Sequence, residues 1–154
     1  MIVRNLILPK TVDNTYQGRK IAIWFFYVLT IVTIVRSLIH TFSADGGAQS
    51  IATIPLDTYS NEAARTVILI FSFWGLSQLI MGIFYAIVSL RYKSLIPLMY
   101  IFIFCEYSFR VILGHLKPIA TTGTPPGEIG NYILIPLSLL LFLFSIMKND
   151  RRSS

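Results

Sequence analysis

Four long apolar runs constrain the fold of this chain more than any other feature of its sequence. They cover about residues 21–42, 66–90, 95–116 and 131–147. At 1.5 Å per residue, a helix of about 20 apolar residues crosses the roughly 30 Å hydrocarbon core of a bilayer. Only 13% of the 154 residues are charged, whereas a soluble domain carries roughly a quarter. We therefore expect an all-α fold, an integral membrane bundle of four transmembrane helices.

The segments outside these runs divide the chain into three parts. Residues 1–20 form an amphipathic leader, in which Pro9 interrupts the apolar pattern. The leader either lies on the membrane surface or frays as a tail. Residues 21–147 form the four-helix transmembrane domain, and residues 148–154 form a polar tail.

The basic residues predict the orientation of the helices. Nine Lys and Arg residues flank the runs on one side, namely Arg4, Lys10, Arg19, Lys20, Arg91, Lys93, Lys148, Arg151 and Arg152. Only Arg65 and Lys117 flank them on the other side. Because Lys and Arg are enriched on the cytoplasmic side, we expect a multi-pass protein with the N-in/C-in orientation. The basic residues thus serve topology, so we expect membrane lipids as partners and no nucleic acid.

The sequence carries no signature of catalysis or of a bound cofactor. It has no G-x-S-x-G, H-E-x-x-H, Walker or G-x-G-x-x-G motif. Cys105 is its only cysteine, so the chain can form neither an intramolecular disulfide nor a multi-cysteine metal site. We therefore predict no catalytic residue, no metal and no cofactor.

Ionisable residues inside the runs mark the candidate site. Glu106 and Arg110 lie four residues apart in the third run, so they share one face of a helix. An Arg at the centre of a membrane helix costs roughly 2.5–3.5 kcal/mol. The rise per residue puts Arg36 and Arg110 at a matched depth, roughly 22 Å from the inner surface. Gln78 and Glu106 fall near the midplane, so we expect a polar cluster in the outer half of the bundle.

Two arginines around one glutamate leave an excess positive charge, which has three interpretations. In the first, Glu106 bridges Arg36 and Arg110 and fastens the first helix to the third. In the second, the excess charge binds an anionic ligand, a lipid phosphate or a buried carbonyl. In the third, both arginines extend to the outer head groups. We expect an ionised Glu106 in direct or one-water contact with an arginine, because nearby opposite charges favour the carboxylate.

Two histidines near the outer surface join this candidate cluster. His40 lies near the end of the first run and His115 near the end of the third. They form either a proton relay or a polar edge of the helices. Two histidines without a third ligand are a poor metal site, so we do not interpret them as one.

Small residues mark the packing face of the second helix. Gly75, Gly82 and Ala86 fall on nearly one face, and small residues at such spacing let helix backbones approach closely in lipid. Gln78 lies on the same face. We therefore expect Gln78 to point into the bundle, towards a polar partner.

The layout of the chain resembles that of small four-span bacterial membrane proteins, including those called DoxX-like. The resemblance rests on the overall size, on the second helix with Gly75 and Gly82, and on Glu106-x-x-x-Arg110 before a Gly/Pro loop. It covers the layout of most of the chain and assigns no role to any residue.

Three classes of function remain open, of which we favour the first. A non-catalytic module would hold a lipid or small amphiphile around Arg36, Glu106 and Arg110. An accessory subunit, or a homo-oligomer, would pack through the small residues of the second helix. A membrane enzyme or proton-conducting protein would use Glu106 and the histidines.

Overall fold

The computed structural model describes residues 2–147, and it is helical throughout its regular segments. Five α-helices follow one another along the chain: α1 (Ile2–Ile7), α2 (Lys20–Phe42), α3 (Asn61–Arg91), α4 (Ile96–Leu116) and α5 (Pro126–Ile146). Residues 2–147 contain no strand. The helices α2 to α5 are long and apolar enough to cross a membrane. The predicted all-α bundle of four transmembrane helices is therefore confirmed, and the chain is a multi-pass membrane protein.

Two of the helices extend beyond the expected membrane spans at their N-terminal ends. The helix α3 begins at Asn61 rather than near Thr66, because the hydroxyl oxygen of Ser60 accepts a hydrogen bond from the Ala63 amide at 3.3 Å and caps the first turn. The helix α5 begins at Pro126, a residue whose fixed φ suits the first helical position. Both extensions lie at the end of the bundle that carries the connections 43–60 and 117–125. We call this the loop end.

The opposite end of the bundle carries most of the basic residues, and we call it the basic end. It holds the leader and the tight turn between α3 and α4. The leader is fixed there by hydrogen bonds: the Asp13 carbonyl accepts from the Ser94 hydroxyl at 2.9 Å, and the Arg19 amide donates to the Phe144 carbonyl at 3.0 Å. These bonds hold residues 13–19 against the bundle.

The four long helices pack as two pairs. The helix α2 lies along α3, and α4 lies along α5. Fewer close approaches join α2 to α5, and α3 comes close to α4 at only a few positions although a tight turn connects them. The two pairs are therefore packed together mainly through α2 and α5.

The small residues of α3 face α2. A Cβ atom on Gly75 would lie 2.8 Å from the backbone of His40, and one on Gly82 would lie 2.8 Å from the side chain of Ile34. Glycine at these two positions permits α3 to approach α2 more closely than a larger side chain would allow. Ala86, one turn further on, is half-buried. This face is thus used within the chain, to pair α3 with α2.

The larger of the two buried apolar clusters among the described residues lies in the half of the bundle near the basic end, and a smaller one lies at the loop end. The centre of the larger cluster is formed by Phe26, Ile96, Tyr100 and other apolar side chains. The Tyr100 hydroxyl donates a hydrogen bond to the Ala22 carbonyl at 2.5 Å. By contrast, Leu113 of α4 is largely exposed. The two helix pairs are therefore closely packed near the basic end and less so towards the loop end.

Candidate functional site

An ion pair on α4 forms the centre of the candidate site. The Nε atom of Arg110 donates to Oε1 of Glu106 at 3.1 Å, and the Nη2 atom donates to the same oxygen. The two residues lie one helical turn apart on α4, as their spacing of four residues predicts. The side chain of Arg110 is 19% exposed and that of Glu106 is 28% exposed. The ion pair therefore remains open on one side of the bundle.

Gln78 connects this pair to the two preceding helices. Its Nε2 atom donates to Glu106 Oε1 at 2.9 Å, and its Oε1 atom accepts from Arg36 Nη2 at 3.5 Å. The first interpretation, in which Glu106 bridges Arg36 and Arg110 directly, was wrong. Among the described residues the ion pair of Glu106 is with Arg110, because α2 packs along α3 and the amide of Gln78 lies between. We call Arg36, Gln78, Glu106 and Arg110 the polar cluster.

Trp74 covers the polar cluster with its ring. The guanidinium carbon of Arg110 lies 4.9 Å from the ring centroid and that of Arg36 lies 5.8 Å from it, within the range of cation–π attraction. Trp74 was not among the predicted site residues. Trp74 precedes Gln78 by four residues, so helical periodicity alone would have placed it on the same face. Both arginines therefore share one aromatic partner, and within residues 2–147 only Arg110 also has an anionic one.

Two buried side-chain polar atoms have no hydrogen-bond partner among residues 2–147. One, Nε of Arg36, belongs to the polar cluster, and the other is the hydroxyl oxygen of Tyr85. Tyr85 is 3% exposed and its ring packs against Phe26, with the ring centroids 5.6 Å apart. A buried polar group without a partner costs about 1–3 kcal/mol. Such atoms at a functional site are available to bind a ligand or an ordered water.

The ring of His40 joins the polar cluster to the connection at the loop end. It is 4% exposed and lies 4.7 Å from the Trp74 ring. Its Nδ1 atom lies 2.8 Å from the Gly46 carbonyl oxygen. Because a carbonyl only accepts, Nδ1 carries the proton and donates. Gly46 and Gly47 adopt left-handed conformations with φ of 60° and 74°, which favour glycine.

Asp45 fixes the same turn from the outside. Its carboxylate accepts hydrogen bonds from the backbone amides of Gly47, Gln49 and Ser50 at 2.9, 3.1 and 2.7 Å. Desolvation by burial raises the pKa of Asp45, but these hydrogen bonds to the ionised form outweigh it and lower the pKa to about 2. The turn that holds His40 is therefore stabilised at neutral pH by an ionised carboxylate.

His115 does not join the polar cluster, contrary to expectation. It is exposed, and its Nδ1 atom pairs with the Val111 carbonyl of its own helix at 2.8 Å. It follows Arg110 by five residues, which corresponds to a turn of about 140° around the helix. His115 therefore faces away from Arg110. A relay that links His40 to His115 has no support in this geometry.

No protein-family model, curated protein or solved structure matches the chain. The resemblance to DoxX-like proteins therefore stays a prediction.

Proposed function

We propose that the protein is a non-catalytic membrane module that binds a lipid or another small amphiphile at the polar cluster. One observation carries the proposal. A cluster with one excess positive charge, open on one side, lies inside an apolar bundle and contains a buried polar atom, Nε of Arg36, without a partner among residues 2–147. A ligand with a polar head would pair with this atom.

The apolar surroundings of the polar cluster favour an amphiphile over a small polar solute. Phe109 and Leu113 of α4 flank Arg110 along the helix and are largely exposed. In a bilayer such side chains contact hydrocarbon. A ligand that reaches the cluster from this side must therefore combine a polar head with an apolar tail.

The two alternative functions have less support. An accessory subunit was expected to use the small residues of α3, but Gly75 and Gly82 pack against α2 and are not free for a partner. A proton-conducting protein was expected to use both histidines, and His115 lies apart from the polar cluster. A binding module requires neither feature.

Removal of Trp74 tests the proposed function. The protein would be extracted in a mild detergent, and native mass spectrometry would measure a bound amphiphile as added mass. We expect wild type to retain an amphiphile and Trp74→Ala to lose it, because the cover over both guanidinium groups is removed. Trp24→Ala is the matched control, since Trp24 is 65% exposed near the basic end. An unchanged bound fraction in folded Trp74→Ala would refute the proposal.

We also propose that both termini lie in the cytoplasm of a bacterium, so that the polar cluster lies in the outer half of the inner membrane. The nine-to-two distribution of flanking Lys and Arg supports this orientation. A test uses the Cys105→Ala background and an impermeant maleimide on intact cells. Ser50→Cys, at an exposed position of the loop end, is expected to react. Lys10→Cys, at an exposed leader position, is expected to react only after permeabilisation, and the reverse pattern would invert the topology.

A further inference from the structure

The charges in the polar cluster are unequally compensated, and this difference identifies the class of ligand. We infer that the head of the amphiphile is an anion, a phosphate or a carboxylate, and that Arg36 is the residue that binds it. This inference rests on the proposed function and adds the chemistry of the ligand and the identity of its anchor.

The ion pair on α4 compensates one of the two arginines. Arg110 donates two hydrogen bonds to Glu106 Oε1, and Gln78 donates a third to the same oxygen. The ion pair of Glu106 is thus with its neighbour on α4, through Oε1. The excess charge of the polar cluster is therefore located on Arg36.

Arg36 itself has few partners. Its hydrogen bond to the neutral amide of Gln78 is long, 3.5 Å, and its Nε atom is buried without a partner among residues 2–147. No acidic side chain of the described residues forms an ion pair with it. A guanidinium has five N–H donors in a planar fork that matches the oxygens of a carboxylate or a phosphate. An anionic head would therefore supply both the missing charge and the missing acceptors.

A cationic or neutral head fits these residues less well. The one carboxylate of the polar cluster already pairs with Arg110, and a cationic head would add to the excess positive charge. A neutral head could accept a hydrogen bond from Arg36 but would leave its charge uncompensated in a medium of low dielectric constant, where such charges are costly.

Three defined probes test the inference on purified, delipidated protein. Dioleoyl phosphatidylglycerol carries a phosphate, oleate carries a carboxylate, and dioleoylglycerol carries similar chains without a charge. Native mass spectrometry would measure the bound fraction of each at equal concentration. We expect at least one anionic probe to bind about tenfold or more tightly than dioleoylglycerol, as charge-assisted hydrogen bonds imply. Which anion binds distinguishes a phospholipid from a fatty acid.

Variants of Arg36 assign the preference to this residue. Arg36→Gln should abolish the preference for an anion, whereas Arg36→Lys should retain part of it. Arg65→Gln is the matched control, because it removes the same charge from an exposed position near the loop end and should leave the preference intact. An unchanged anion preference in folded Arg36→Gln or a complete loss in Arg65→Gln would refute Arg36 as the anchor, and the probes on wild type test the anionic head even if Arg36→Gln fails to fold.

Two results would overturn the inference. If dioleoylglycerol binds as well as both anions, and Trp74→Ala still abolishes binding, the amphiphile site stands and its anionic specificity is wrong. If none of the three probes binds, an anionic head is equally refuted, and the amphiphile retained by wild type then decides the proposed function separately.

Discussion

Glu106→Gln is expected to lower the thermal stability of the purified protein by about 3 kcal/mol, at the low end of the range for breaking a buried ion pair. Glutamine can still accept the hydrogen bond from Gln78, but it leaves the charge of Arg110 without a counterion inside the bundle. Both arginines would then be uncompensated. Thermal unfolding in detergent measures the change, and Glu128→Gln, at an exposed position in the first turn of α5, is the matched control.

A second substitution separates a structural role of the ion pair from a binding role. Changing Arg110 to Gln in the Glu106→Gln protein removes the stranded charge, so part of the lost stability should return. The double variant should nevertheless bind the amphiphile less tightly, because the ligand no longer meets the ion pair beside Arg36, although Arg36 itself is still present. If neither stability nor ligand retention responds to Glu106→Gln, then Glu106 faces water or head groups and the polar cluster does not exist.

The second large effect is expected at Gly75. A Cβ atom there would meet backbone atoms of α2 at 2.8 Å, which cannot move without displacing the helix, whereas the nearest atom to a Cβ on Gly82 would be the side-chain Cγ1 of Ile34, with backbone no closer than 3.4 Å. Gly75→Leu should therefore abolish the pairing of α2 with α3, and Gly82→Leu should weaken it. With the smaller Gly75→Ala change we expect a loss of about 1–3 kcal/mol, as for overpacking.

Gly114→Ala provides the control for these variants. Gly114 lies in α4, and a Cβ atom there would meet nothing within 4 Å. The change should be neutral or stabilising, since alanine favours the helix by about 1 kcal/mol over glycine. Melting temperatures and size-exclusion profiles in one detergent compare the set. If Gly75→Ala is as stable as Gly114→Ala, the close approach of α2 and α3 is wrong.

The sequence predicts those features that depend on a single helix. Run lengths predict the four spanning helices, and the spacing of four residues predicts the contact of Glu106 with Arg110. Periodicity likewise groups Gln78 with Gly75 on one face of α3. Each of these follows from the geometry of one helix and its surroundings, so no knowledge of the neighbouring helix is needed.

The features that the sequence did not reveal depend on which helices meet. Gln78, rather than Glu106, contacts Arg36, because α3 packs along α2 while approaching α4 at few positions. Trp74 covers both arginines only because α2 and α4 each bring a guanidinium to α3. His115 was grouped with the polar cluster from its predicted depth alone. Its position around the axis of α4 differs from that of Arg110, so its side chain faces away from the cluster. Depth and periodicity predict the height of a side chain along its helix and the face on which it lies. They do not predict which neighbouring helix that face contacts.

A density map of the protein crystallised from a lipid phase tests the central claim most directly. We expect elongated non-protein density with its head against Arg36 and its tail along the exposed side of α4, near Leu113. Density that is absent there, with the guanidinium of Arg36 extended to the head groups of the bilayer, would contradict a binding site at the polar cluster.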